Sequence, residues 1–110
     1  VREGDDRLVL DVTPGDPGRV GLTGEVDPHT APLLEQALAE LIDGGATSIR
    51  LDGSGLTFID SSGLRVLVDA HRRLGATKEA LLLTGVTPTL RRLLEVTGLD
   101  EHFSVEAADG

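Results

Sequence analysis

The apolar positions of this chain change period several times, and each change marks an element. Leu8-Val9-Leu10-Asp11-Val12 is a compact apolar run with one polar interruption and predicts a first strand. Thr13-Pro14-Gly15-Asp16-Pro17-Gly18 has the composition of a turn. Val20 and Leu22 are spaced by two, which predicts a second strand from Arg19 to Thr23 and an antiparallel hairpin with the first. The period then becomes helical. Asp27-Pro28 offers a cap followed by a residue that needs no N–H donor, so the first helix is expected to open there. Leu33, Leu34, Ala37, Leu38, Leu41 and Ile42 form its apolar stripe, and Gly44-Gly45 supplies a stop.

Ile49 and Leu51 alternate with polar residues and predict a third strand. Gly53-Ser54-Gly55 is expected to be a loop, after which Leu56 to Ile59 returns to the core. A second helix is expected from about Ser62 to Leu74, with Leu64, Leu67, Val68, His71 and Leu74 on one face and Gly75 at its end. Leu81-Leu82-Leu83 suits a strand buried on both faces. Thr87-Pro88 opens a third helix, with Leu90, Leu93 and Leu94 as its stripe and Gly98 as its close. Phe103-Ser104-Val105 suits a last edge strand, and Ala107 to Gly110 a frayed tail. The order ββαβαβα, with a terminal β, predicts an α/β fold. Its small mixed sheet has an N-terminal antiparallel hairpin, then βαβ units with parallel pairing and packed helices.

At 110 residues, positions 1–110 are expected to form one domain, with a core from about 8 to 105. The formal net charge of −9 argues against nucleic-acid binding and against anionic membrane surfaces. No apolar run approaches a membrane span, and no signal-peptide pattern is visible. Cysteine is absent, so disulfides and thiol chemistry are excluded, and a cytoplasmic location is expected. With Phe58 and Phe103 as the two aromatics, base or sugar stacking is not expected of the surface.

Catalytic constellations are weak. A serine triad needs a positioned histidine, and His71 lies on an apolar stripe while His29 and His102 sit near a helix start and the tail. The nucleophile-elbow pattern is absent. Gly53-Ser54-Gly55 begins like a dinucleotide fingerprint but lacks the third glycine. Asp5, Asp6, Glu25 and Asp27 lack ligand spacing, so neither metal nor cofactor is expected. Arg72-Arg73 and Arg91-Arg92 are expected on solvated helix faces.

Phe58-Ile59-Asp60-Ser61-Ser62-Gly63-Leu64 is the informative stretch. It places hydroxyls at a helix N-terminus, where unpaired N–H groups and the dipole favour negative charge. One serine suffices as a cap, worth about 1 kcal/mol, so the second is spare. Gly63 is expected to leave space beside it for another backbone or a nucleotide.

Four segments occur in a telling order: Gly24-Glu25-Val26-Asp27, Leu51 to Leu56, Phe58 to Leu64 and Val96-Thr97-Gly98-Leu99. In this the chain resembles the STAS domain, specifically bacterial anti-sigma factor antagonists, from about Leu8 to Val105. The resemblance implies a regulatory protein that is a substrate and a ligand, not an enzyme. It implies binding to an anti-sigma factor that is also a serine/threonine kinase, with release of a sigma factor. Phosphorylation would inactivate it, and a PP2C-type phosphatase would reset it. By this match Ser61 is the phosphoacceptor and Ser62 helps cap the helix. Asp27 and Asp60 match the family's acidic positions, and the expected partner surface comprises Asp27, Asp60, Ser62, Gly63 and Arg65. Arg65 departs from the small residue frequent in relatives, as do Gly53 and the segment Gly75 to Glu79 from the family's pattern. Other STAS domains are scaffolds in lipid-transport or stress-signalling assemblies, in which the serine goes unmodified.

Overall fold

The computed structural model describes residues 2–107. Six strands form one sheet in sequence order: β1 (Arg2–Gly4), β2 (Leu8–Thr13), β3 (Gly18–Val26), β4 (Ile49–Ile59), β5 (Leu81–Val86) and β6 (Ser104–Ala107). The first three pair antiparallel, and β3 through β6 pair parallel. Each parallel step is made through a helix: α1 (Ala31–Asp43), α2 (Ser61–Arg73) and α3 (Pro88–Thr97). Right-handed crossovers between sequential neighbours in a sheet place all three helices on one face.

Burial follows that arrangement. Leu8, Leu10, Val20, Leu22, Ile49, Leu51, Leu81 and Leu83 are buried and point one way. Asp11, Arg19, Arg50 and Asp52 alternate with them and are exposed on the other face. Leu34, Leu38, Leu67 and Leu94 meet the apolar face from the helices, and Phe103 is fully buried among them. Leu82 is only half-buried, so β5 is not covered on both faces as its apolar run suggested.

Several boundaries differ from the expectations. The helix expected at Asp27-Pro28 begins three residues later, with Thr30 at the cap and Pro32 in the first turn. Gly53-Ser54-Gly55 is not a loop, because β4 runs through it to Ile59. Pairing with β3 resumes at Gly55, opposite Thr23, after a register irregularity, and carries the strand on to Ile59, whereas the pairing with β5 ends at Asp52. β1 was not expected, since it is short and polar at an edge. Thr87 caps α3 as expected, accepting from the Leu90 N–H at 3.3 Å, and Gly98 closes it in the left-handed region at φ 76°. Of the expected frayed tail, Ala107 belongs to β6, and the rest lies outside the described residues.

Candidate functional site

The site grows from the ends of two parallel strands. Val26 and Ile59 are register partners at the C-terminal ends of β3 and β4. Beyond them the Asp60 N–H donates to the Val26 carbonyl at 3.2 Å, which continues the pairing by one residue. Asp27 and Asp60 therefore leave the sheet side by side, at the end where ligands of parallel sheets usually bind.

Asp60 is extended (φ −112°, ψ −169°) and caps α2. Its Oδ1 accepts from the Ser62 N–H at 2.9 Å and from the Gly63 N–H at 3.3 Å, and the Ser62 hydroxyl donates to the same oxygen. The Ser62 hydroxyl bond is the largest cause holding the Asp60 carboxyl below its ordinary pKa; the two backbone bonds add to it. Ser62 does not cap the helix. It is the cap's donor.

Ser61 is different. It is the first helical residue, it is exposed, and its side chain makes no hydrogen bond among the described residues. Gly63 also departs from expectation. A Cβ there would lie 2.6 Å from Ile59 Cγ1 and 2.7 Å from Val26 Cγ1. The space beside Gly63 is filled by the protein's own core, so its role is to seat α2 against the strand ends, and it offers no opening to a visitor.

Asp27 sits in the turn between β3 and α1 and is largely buried. Its Oδ1 accepts from the His29 N–H at 2.9 Å and the Thr30 N–H at 3.0 Å. Its Oδ2 pairs with the Arg7 guanidinium. Thr30, fully buried, accepts from the Asp27 N–H at 2.9 Å and donates to the Glu25 carbonyl at 2.8 Å. Gly24 lets the Arg7 backbone approach: its φ is +115°, and a Cβ would fall 2.0 Å from the Arg7 carbonyl oxygen. The Glu25 N–H then donates to that oxygen at 2.9 Å. Arg7 was not expected at the site; nothing in its sequence neighbourhood signals a partner twenty residues away.

Ser61 and Arg65 form one wall of a shallow depression of about 400 Å³, and Pro28, Pro32 and Glu35 stand opposite. Thus Asp60, Ser61, Ser62 and Arg65 share a surface. Gly63 lies beneath it, and Asp27 adjoins it through Pro28. A second groove, also about 400 Å³, runs between the end of β4 and α3 and carries the exposed Phe58 (49%) and Val96 (77%).

No histidine serves Ser61. His71 is buried, with Nε2 2.9 Å from the Thr77 carbonyl and its ring edge-on to Phe103. His29 lies 3.7 Å from Asp5, and His102 is exposed beyond α3. Among the described residues no three His, Cys, Asp or Glu side chains gather as a metal-holding group. No described helix is long and apolar enough to cross a membrane.

The family model described as "Mlab, STAS domain" matches residues 3–106. The chain belongs to the STAS domain family. This STAS domain is 33% identical over 89 residues to the anti-sigma-B factor antagonist of Listeria monocytogenes, covering 81% of this chain and 78% of the relative. It is 32% identical over 86 residues to the anti-sigma-B factor antagonist of Staphylococcus aureus, covering 78% of this chain and 80% of the relative. The crystal structure of an anti-sigma factor antagonist from Mycobacterium paratuberculosis superposes with a TM-score of 0.80 at 30% identity, covering 94% of this chain and 89% of the other. The mixed α/β architecture is that of the STAS family, as the motif order implied.

Proposed function

We propose that this STAS domain is an anti-sigma factor antagonist. Unmodified, it binds an anti-sigma factor serine/threonine kinase and frees a sigma factor. Phosphorylation of Ser61 ends the binding, and a PP2C-type phosphatase restores it. The observation that carries this reading is the state of the two serines. Ser62 is committed to Asp60, whereas Ser61 is exposed and unengaged on the same turn. The names of the Listeria and Staphylococcus relatives support the same role.

The chain would be a substrate without being a catalyst. The Ser61 Oγ takes the γ-phosphoryl group of ATP; the bond to the β-phosphate oxygen breaks, ADP leaves, and the hydroxyl proton passes to the kinase's base. The product carries about −1.5 to −2 added charges. Against an anionic group of the partner about 6 Å away, two charges cost about 1–5 kcal/mol for dielectric constants between about 80 and 20. That weakens binding about ten-fold to several-thousand-fold. Asp60 already caps α2, so the modification removes no cap, and the switch needs no refolding.

The test is mass spectrometry of the motif peptide after incubation with candidate anti-sigma kinases and ATP, paired with binding of two variants. Ser61→Ala should bind and resist modification. Ser61→Asp adds one charge and should bind at least about three-fold more weakly; equal binding would overturn the mechanism. The groove at Phe58 and Val96 favours a second reading, since a standing assembly covers apolar surface. In that reading the domain is a non-switching scaffold in a lipid-transport or stress-signalling assembly. Pull-down of transporter subunits in place of a small kinase-like ATPase would support it.

A further inference from the structure

Arg65 stands four residues after Ser61 on α2, and both line the same depression. Residues at this spacing are surface neighbours, with Cβ atoms about 5–6 Å apart. Helical side chains lean toward the N-terminus, so the Arg65 side chain reaches back over the turn that carries Ser61. Arg65 is exposed and makes no ion pair or hydrogen bond among the described residues. The two carboxylates lining the depression do not hold it. Asp60 spends its Oδ1 on Ser62 and the Gly63 N–H, and neither Asp60 nor Glu35 lies within ion-pair distance of Arg65.

Resting on the reading of Ser61 as phosphoacceptor, we infer that Arg65 is an intramolecular clamp for the phosphate on Ser61. The guanidinium fork suits two phosphate oxygens, and an anion placed N-terminal to a cation at i,i+4 is the favourable order. Modification then changes the docking face twice. It adds the phosphate's negative charge, and it withdraws the cation that the unmodified surface offers to an acidic partner. A kinase partner with a carboxylate opposite Arg65 would lose that contact at the moment the phosphate arrives.

The full chain made with phosphoserine at position 61 by codon reassignment tests this without any kinase. The second phosphate pKa is read by ³¹P NMR in the otherwise native chain and with Arg65→Ala, alongside the Arg65 Nε–H resonance with and without the phosphate. Glu35, Asp60 and the end of α2 act on the phosphate in both chains, so the difference isolates Arg65. The expected result is a pKa higher by about 0.3 unit or more in Arg65→Ala, with Arg65→Lys between, and a displaced Nε–H resonance on phosphorylation. Equal pKa values would overturn the clamp, as would a pKa difference with an unmoved resonance, which charge at a distance would produce. A failure of every candidate kinase to modify Ser61 would instead overturn the switch and leave the clamp's result standing.

Discussion

The Asp60 N–H reaches the Val26 carbonyl at 3.2 Å, and this contact binds the ends of the two central parallel strands where the chain leaves the sheet. It explains why Gly63 has to be glycine. The first turn of α2 is drawn down onto Val26 and Ile59, leaving no volume for a side chain.

Gly63→Ala should therefore destabilise the domain, although alanine is the better helix former. The helix-propensity gain is about 1 kcal/mol, and the added methyl lies inside contact distance of two branched side chains. Overpacking of this kind costs about 1–3 kcal/mol and here also displaces the turn that carries Ser61. Urea unfolding reads the net loss. A variant as stable as wild type would mean that Val26 and Ile59 yield freely.

Acid should weaken the fold through three carboxylates. Asp5, Asp16 and Asp60 are each held below the ordinary carboxylate pKa, by the Arg7 backbone N–H, the Thr47 hydroxyl and the Ser62 hydroxyl respectively as the largest causes. A depressed folded-state pKa contributes stability that is present above the unfolded value of about 3.9 and is lost as pH falls through the folded value. Stability should thus decline below about pH 4. Asp60→Asn should keep the cap, because asparagine also accepts from N–H groups, while flattening that decline. Thermal unfolding of both proteins across pH 2 to 7 checks it; parallel pH curves would show that Asp60 does not titrate with folding.

These contacts also show what local pattern can and cannot carry. Thr87-Pro88 opens α3 where expected because the cap bond to the Leu90 N–H is local. Asp27-Pro28 has the same pattern, yet the Asp27 carboxylate is spent on a turn that delivers the chain to Thr30. Choosing between the two starts depends on where β3 ends, which its pairing with Ile59 sets from far along the chain. Gly53 to Gly55 looked like a loop for the same reason: the strand continues there because its pairing with the distant β3 resumes at Gly55, opposite Thr23. The alternation of Ile49 and Leu51 and the stripe of α1 were legible because each buries one face. At the site, the serine pair and Asp60 stood out as a motif. The division of labour between Ser61 and Ser62 did not, since it depends on which hydroxyl turns toward the cap.

Arg7 and Asp27 should couple measurably. Their pair joins a half-exposed guanidinium to a largely buried carboxylate and ties the β1–β2 turn to the site. A double-mutant cycle of Arg7→Ala and Asp27→Asn should return about 1 kcal/mol, between the values of exposed pairs and of hydrogen bonds to charged groups. The coupling should shrink in 1 M salt only modestly, because one partner is shielded from counterions. Zero coupling would show that Asp27 is held by the His29 and Thr30 donors of its own turn.

Thr30 offers the sharpest test of how the Asp27 turn is built. Its hydroxyl accepts from the Asp27 N–H and donates to the Glu25 carbonyl, and the residue is fully buried. Valine has the same shape but neither function, so Thr30→Val keeps the packing and strips a donor and an acceptor of their partner. Unmet polar groups of this kind cost about 1–3 kcal/mol each. The loss should exceed that of Thr97→Val, whose hydroxyl donates back to the Leu93 and Leu94 carbonyls on an exposed turn of α3 where water can replace it. Hydrogen exchange should report the site of the damage: the Asp27 amide should lose protection in Thr30→Val, while the Asp60 amide, anchored on Val26, keeps it. Equal losses in the two variants would mean that water enters the Asp27 turn and replaces the threonine at little cost.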